Sequence, residues 1–396
     1  MMSRRRTKFK SRFFFILPVA VFVWLSLTFR FVLKTDLNLI ADGVSSSRAL
    51  NYGNSVTTFA NGTAVQWKRQ RPALRDLISR QDGSVIGNPD FLLHFGIIGH
   101  GKCGTTTMAN WLSEVPEVRC PKQETLELAL GTVTEFISKV YIEHPPGHKV
   151  NGYKSPGDIR SLAALNALSR YFPRTLLIVG IRHPVLWFES LYNFKVQNLR
   201  EQFPSDYWGD PNQLIGKCSS YRDFMCVGTA KGLFHLHLSL LGKTNHTEDL
   251  RRQYPMADVG SEVAISETRN PVFLFDVEQL ADENEERMSI FRKDIQNLVG
   301  LSSPLSPRPP KIKPGKRLSK ELQESRDNHK IDICDSRYDP LRAELMRISN
   351  EASEWILHSG FLDNPDVYIS SPQYFRNILE EHWKRDPCPR STSIAL

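Results

Sequence analysis

A glycine-rich run, Gly99-His100-Gly101-Lys102-Cys103-Gly104-Thr105-Thr106-Thr107, holds the residue types that bind phosphate. Glycines let successive backbone N–H groups turn toward one point, and a helix starting there adds partial positive charge. The threonines add hydroxyl donors, and Lys102 adds a full charge. The spacing Gly96-x4-Gly101-Lys102 fits a nucleotide-triphosphatase loop, but Cys103 stands where that loop needs Ser or Thr. The missing hydroxyl is the one that ligates magnesium, and a thiol is a poor magnesium ligand. The run therefore suits phosphate chemistry that asks for no metal ligand here. His100, inside the run and before Lys102, is expected to shape the backbone or touch phosphate rather than act as a base.

A second set of residues fits the other end of a ligand with two phosphates. Arg182-His183-Pro184 follows an apolar run, and Ser190 lies eight residues after Arg182. A guanidinium offers a planar charged fork to a phosphate dianion. Taken alone, Arg-x-Pro after a strand also serves as a salt bridge and a helix start. Two such loops, each behind a buried strand, favour a shared ligand. Two further segments carry acid and base candidates. Cys120-Pro121-Lys122-Gln123-Glu124-Thr125 holds Glu124, with Glu127 close behind, and Tyr153-Lys154-Ser155-Pro156 holds Lys154.

These motifs resemble those of the PAPS (3′-phosphoadenylyl sulfate)-dependent sulfotransferases, most of all the Golgi carbohydrate, glycosaminoglycan-type enzymes. The run from Lys102 to Thr107 is similar to the family's 5′-phosphosulfate loop, Lys-x-Gly-Thr-x-x. Arg182 with Ser190 resembles its 3′-phosphate motif, and Tyr153 to Pro156 its Glu-Lys-Ser/Thr-Pro-x-Tyr segment. The likeness covers roughly residues 90 to 345. It implies PAPS as sulfuryl donor with no metal, held by Gly101, Lys102, Cys103, Gly104, Thr105, Thr106 and Thr107 at one phosphate and by Arg182 and Ser190 at the other. Glu124 becomes the general base, with Glu127 the alternative, and Lys102 and Lys154 stabilise developing charge. Gly315-Lys316-Arg317 resembles a late loop that closes on the cofactor, so Lys316 and Arg317 join the binding set. Arg308, Lys311, Lys313 and Lys320 beside them suit an anionic acceptor. The expected activity is transfer of a sulfuryl group to a carbohydrate hydroxyl. Two other readings stay open: a lumenal nucleotide-dependent kinase, and a non-catalytic PAP-binding relative.

Positioning these residues requires buried strands that end in loops. Phe91–Gly99, Thr175–Ile181 and Pro271–Phe275 read as continuous apolar strands. Helices are expected over Thr105–Val115, over Val185–Asn198 and from about Glu278. Such strands alternating with helices predict an α/β fold: a three-layer, P-loop-like domain with a central parallel sheet. Residues 319 to 384 read as mostly helical, behind a basic, proline-rich joint at 301 to 320. Trp187, Trp355 and Trp383 are expected in the core rather than stacked on sugar rings.

The domain, expected over 89–396, stands behind other segments. Residues 1–12 are a basic tail, and Phe13–Phe29 is an uncharged run at the short end of the roughly 17 to 25 residues a membrane helix needs. Arg30 can snorkel and extend the span to residue 33. Six basic residues ahead of it keep the tail cytoplasmic, which makes a single-pass type II signal-anchor. Residues 34–88, rich in Ser, Asn, Gly and Thr, read as a lumenal stem. The sequons at Asn61 and Asn245 agree with a lumenal glycoprotein, and the resemblance implies the Golgi membrane. The chain of 396 residues has formal charge +8, of which seven charges lie in residues 1–33, where there is no acid. The remainder is close to neutral, so overall charge gives no support for a nucleic-acid partner. Six cysteines in an oxidising lumen should form disulfides, Cys218 with Cys226 being the nearest pair. No cysteine–histidine cluster at zinc spacing is present.

Overall fold

The computed structural model describes residues 71–121, 123–144, 150–199, 210–214, 233–244, 250, 268–310 and 330–388. The 13–33 anchor, the sequons, Cys218, Cys226, Lys311, Lys313, Lys316, Arg317 and Lys320 lie outside them. Among the described residues no helix is long and apolar enough to cross a membrane.

Six parallel strands form one sheet: β1 (Phe95–Ile97), β2 (Val118–Arg119), β3 (Val150–Lys154), β4 (Leu176–Ile181), β5 (Val272–Asp276) and β6 (Val367–Ile369), in the order β2-β3-β1-β4-β5-β6. The α/β class and the parallel sheet match the expectation. The central strands are apolar throughout because both faces are covered. Along β4, Leu176 and Ile178 enter one core, while Leu177, Val179 and Ile181 enter the other. Phe273 and Phe275 of β5 join the first core, and Val272 and Leu274 the second.

The first core is closed by α1 (Thr105–Leu112), through Met108, Trp111 and Leu112, and by a helix over Glu285–Val299, through Met288, Phe291 and Ile295. The second is closed by α2 (Val133–Glu143), α3 (Leu162–Tyr171), α4 (Pro184–Leu199), α5 (Phe234–Ser239) and a long helix over Asp339–His358. The result is the three-layer arrangement.

The helix starts follow local chemistry. Pro184 sits at the first turn of α4, where its missing N–H costs nothing, and His183 Nδ1 accepts from Val185 N at 3.2 Å. Ser161 Oγ accepts from Ala164 N at the head of α3. The first strand is shorter than the run Phe91–Gly99, because Asp90–Leu92 turn as a 3-10 segment before it. The helix expected from Glu278 is a single turn, Val277–Leu280, before the longer one. Within 330–384, β6 interrupts what reads as helix, completing the edge of the sheet beside β5.

The folded unit also begins earlier than residue 89. Leu77 is buried in the core, Ile78 bridges Val85, and the Arg71 guanidinium donates to the carbonyls of Tyr141 and His144. Residues 71–88, expected as stem, are therefore part of the domain. A disulfide joins Cys334 to Cys388 and pins the C-terminal segment, while Cys103 and Cys120 are buried free thiols.

Candidate active site

The sheet order places a crevice before any side chain is considered. From β1 the chain moves outward to β2, and from β4 it moves the opposite way to β5. Ligands of open α/β sheets bind outside the strand ends where the connections diverge in this way. The loop 98–104 leaves β1 there, and Arg182 leaves β4 beside it. Two glycines let them meet. A Cβ on Gly99 would stand 2.5 Å from the Gly180 nitrogen, and one on Gly180 only 2.1 Å from the Cys103 carbonyl oxygen. The loop thus lies directly on the end of β4.

Its backbone is shaped to hold an anion. Lys102 has φ 70° and Gly104 φ 75°, both left-handed. A lysine held in that region is unusual and marks a loop fixed by its surroundings. The first intrahelical bond of α1 is Met108 N to Gly104 O, so the N–H groups of Thr105, Thr106 and Thr107 have no helical acceptor. Cys103 is buried against the sheet, and burial raises its thiol pKa well above the ordinary value. It neither reaches a ligand nor offers a thiolate.

The face of α4 that carries positions 187, 190 and 194 leans on this loop, as spacing of three and four requires. Trp187 Nε1 donates to Gly101 O at 3.0 Å. Phe194, more than a third exposed, lies 4.5 Å beneath Lys102 Nζ. Ser190 stands between them on the same face. Burial lowers the Lys102 pKa, and the Arg182 charge lowers it further. Arg182 is half-buried and makes no ion pair or side-chain hydrogen bond among the described residues. The two cations thus repel each other beside the crevice.

On the other side of the loop, Lys154 at the end of β3 is 5% exposed. Its ammonium donates to Thr106 Oγ1 at 3.3 Å and pairs with Glu124 Oε1 at 3.1 Å. Thr125 N donates to Lys154 O, which ties the Glu124 segment to the strand end. Glu124 is 54% exposed, so the acid faces open solvent while the lysine beneath it does not. Glu127 is occupied elsewhere: it pairs with Lys139 at 2.7 Å and accepts from Leu126 N.

Gly101 to Thr107, Arg182, Ser190, Lys154 and Glu124 thus gather at one end of the sheet. Arg308 does not join them; it pairs with Glu285. Trp187 and Trp383 are core residues, and Trp355 packs against the core. His100 is 2% exposed and meets His237 Nδ1 at 3.0 Å. Burial lowers its pKa to about 3, which makes it a poor base. Sequence reasoning missed Phe194 and Lys195 on α4 and Arg160 beyond Lys154. The Lys195 pKa is lowered by burial and by Arg160, and raised by Glu124. The signal was present in the α4 spacing from Trp187.

No family model matches the chain, and no curated protein matches it. Among solved structures it is similar to a sulfotransferase from Alicyclobacillus acidocaldarius, at 15% identity, over 65% of this chain and 95% of that one, with a TM-score of 0.31. A likeness of that degree says nothing about which residues act.

Proposed function

We propose that this chain is a PAPS-dependent sulfotransferase that sulfates a carbohydrate hydroxyl. The observation that carries the reading is the position of Lys154, which touches Thr106 of the phosphate loop and Glu124 at once. It links the place where a phosphosulfate would sit to a carboxylate that can take a proton. Arg182, on the far side of the loop, supplies the second anion site that a 3′,5′-bisphosphate needs. Orphan N–H groups at one end, and at the other a guanidinium with no ion pair among the described residues, fit that ligand.

PAPS supplies the sulfuryl group. The N–H and hydroxyl groups of Thr105, Thr106 and Thr107 grip the 5′-phosphate, and Arg182 with Ser190 grips the 3′-phosphate. Glu124 accepts the proton of the acceptor hydroxyl. Lys102 and Lys154 balance the negative charge that builds on the leaving oxygen and on the sulfuryl oxygens. Lys316 and Arg317 complete the cofactor set in this reading. The kinase alternative fares worse, because the Cys103 side chain points into the core at the position where magnesium would need a hydroxyl.

The acceptor and the compartment are proposals as well. Glu124 stands at an open edge, which suits the end of a glycan chain. The Cys334–Cys388 disulfide supports an oxidising compartment. With the apolar, basic-flanked N-terminus, it favours a type II protein of the Golgi membrane. The test is titration of the detergent-solubilised full chain with PAP in EDTA. Binding is expected, and Arg182→Ala should remove it. A folded wild-type chain that binds PAP only with magnesium, or not at all, would overturn the reading.

A further inference from the structure

We infer that Asp158 is the positioning residue for Lys154: its carboxylate holds the residues on both sides of that lysine and so fixes where the ammonium meets Thr106 and Glu124. The catalytic consequence rests on the sulfuryl-transfer reading, whereas the geometry does not.

Side chains alternate along a strand, so Tyr153 and Lys154 take opposite faces of β3, and Ser155, just past its end, turns to the Tyr153 side. Lys154 points toward the phosphate loop. Tyr153 and Ser155 point into the opposite core, and both find Asp158. Ser155 Oγ donates to Asp158 Oδ1 at 2.6 Å, and Tyr153 O–H donates to Oδ2 at 3.0 Å. Asp158 is 0% exposed, Tyr153 and Ser155 are 1% exposed, and neither hydroxyl has another acceptor among the described residues. The chain reaches Asp158 through a tight turn closed by Asp158 N to Ser155 O. Two more bonds stitch this turn to the root of the phosphate loop: Ser155 N to Ile97 O, and Ile159 N to Ile98 O.

Asp158 has no cationic partner among the described residues, although Arg160 is two residues away; the acid is spent on two hydroxyls. Ionised, it accepts both hydrogen bonds. Protonated, it must donate from one oxygen, and one hydroxyl then loses its acceptor inside the core, which is unfavourable. The strand end then loses one of the two bonds that set where Lys154 lies.

Burial raises the Asp158 pKa to about 7; the Ser155 and Tyr153 hydrogen bonds oppose this, and Glu127 adds to it. The groups packed around it are few. At Glu127 burial raises the pKa, but the Lys139 and backbone hydrogen bonds outweigh it and the net shift is downward. Burial holds His100 at about 3 and His235 at about 4, and raises the Tyr153 pKa well above its usual value. His237 on α5 faces His100, Arg160 is cationic, and α3 carries no ionisable group before Arg170.

The experiment compares the full chain with Asp158→Asn and Ser155→Ala between pH 6 and 8. An asparagine copies the protonated acid, with one acceptor and one donor. In the wild type, kcat for PAPS-dependent transfer is expected to rise roughly tenfold from pH 6 to 8, the worth of about one hydrogen bond. Asp158→Asn should stay flat at the low level while PAP affinity is unchanged. Ser155→Ala removes a bond that stabilises the anion, so its midpoint should move to higher pH. Amide exchange gives a readout independent of turnover. Protection of the Ser155 and Ile159 amides should rise in the wild type from pH 8 to 6, because the closed turn keeps the Asp158 proton that the opened one releases, and should not change in Asp158→Asn. A wild-type pH profile in Asp158→Asn, or protection indifferent to pH in the wild type, overturns the inference. Absence of PAP binding by the wild type counts against the sulfotransferase reading alone, and the exchange data still decide the role of Asp158.

Discussion

Replacing Gly180 by alanine should cripple the proposed site without replacing any residue assigned to ligand binding. The added Cβ would lie 2.1 Å from the Cys103 carbonyl oxygen and 2.8 Å from Phe275 Cζ. Neither neighbour can yield easily: one is backbone, and the other is a core ring with 0% exposure. Relief to an ordinary contact of about 3.2 Å requires the loop to lift from β4 by roughly 1 Å. Overpacking of this kind costs about 1 to 3 kcal/mol. A displacement of about 1 Å is enough to lower catalysis by about a hundredfold where geometry governs the rate. The loop carries Lys102 and leads into Thr105–Thr107, so PAP affinity should fall at least tenfold, which is about 1.4 kcal/mol. The assay is calorimetric titration with PAP, paired with thermal unfolding to show that the variant is folded. Gly101→Ala is the control for the fold, since a Cβ there meets nothing within 4 Å. It should unfold like the wild type. A folded Gly180→Ala with wild-type PAP affinity would show that the loop does not depend on its seat on β4.

Glu124→Gln should lower kcat by about 10² to 10⁴, the range for loss of a general base, with folding unchanged. Glu127→Gln should leave kcat in place and cost about 0 to 1 kcal/mol through Lys139; the reverse pattern in turnover and urea midpoints would exchange their roles. Reducing the Cys334–Cys388 bond, which spans 54 residues, should cost about 4 kcal/mol, read as a lowered Tm; an unchanged Tm would refute it. Acid should destabilise the fold between about pH 6.5 and 4. Burial depresses His94, His144, His183 and His235 to about 4 and His100 to about 3, so on these sites the unfolded chain takes up protons that the folded chain does not. Asp158 and Asp276, raised by burial to about 7, act in the opposite sense, because the folded chain keeps protons that the unfolded one releases. Five histidines outweigh two aspartates, so urea midpoints should drop from pH 7 to pH 5; a flat or rising series would refute the balance.

The strands that lead to the two proposed phosphate sites were legible because they are buried on both faces and their apolar runs are continuous, as at Leu176–Ile181. β3 was not legible as a strand. Its sequence, Val-Asn-Gly-Tyr-Lys, lacks an apolar run, since Gly152 lies under the Phe95 ring and Lys154 serves the site. β2 and β6 are short edge strands of two and three residues, too brief for a period to register. Residues 71–88 read as a spacer because a single side chain, Leu77, carries most of their burial. Between Glu124 and Glu127 the residue types alone could not choose. What separates them is which lysine each one meets, and Lys139 and Lys154 are brought into place by different elements.

The same contrast explains the division of labour in the site. The phosphate loop and Arg182 are placed by two adjacent strands and two glycines, so their spacing is set by the sheet and is rigid. Glu124 belongs to no helix or strand; it is placed by one ion pair and by the Thr125 N to Lys154 O bond. A half-exposed carboxylate on a loop gains little from such a pair in water, so its position depends on how firmly Lys154 is held from beneath. Cofactor binding should accordingly survive most changes around β3, whereas turnover should not. That asymmetry between PAP affinity and kcat is what the proposed site, a rigid cradle with an adjustable base, should show.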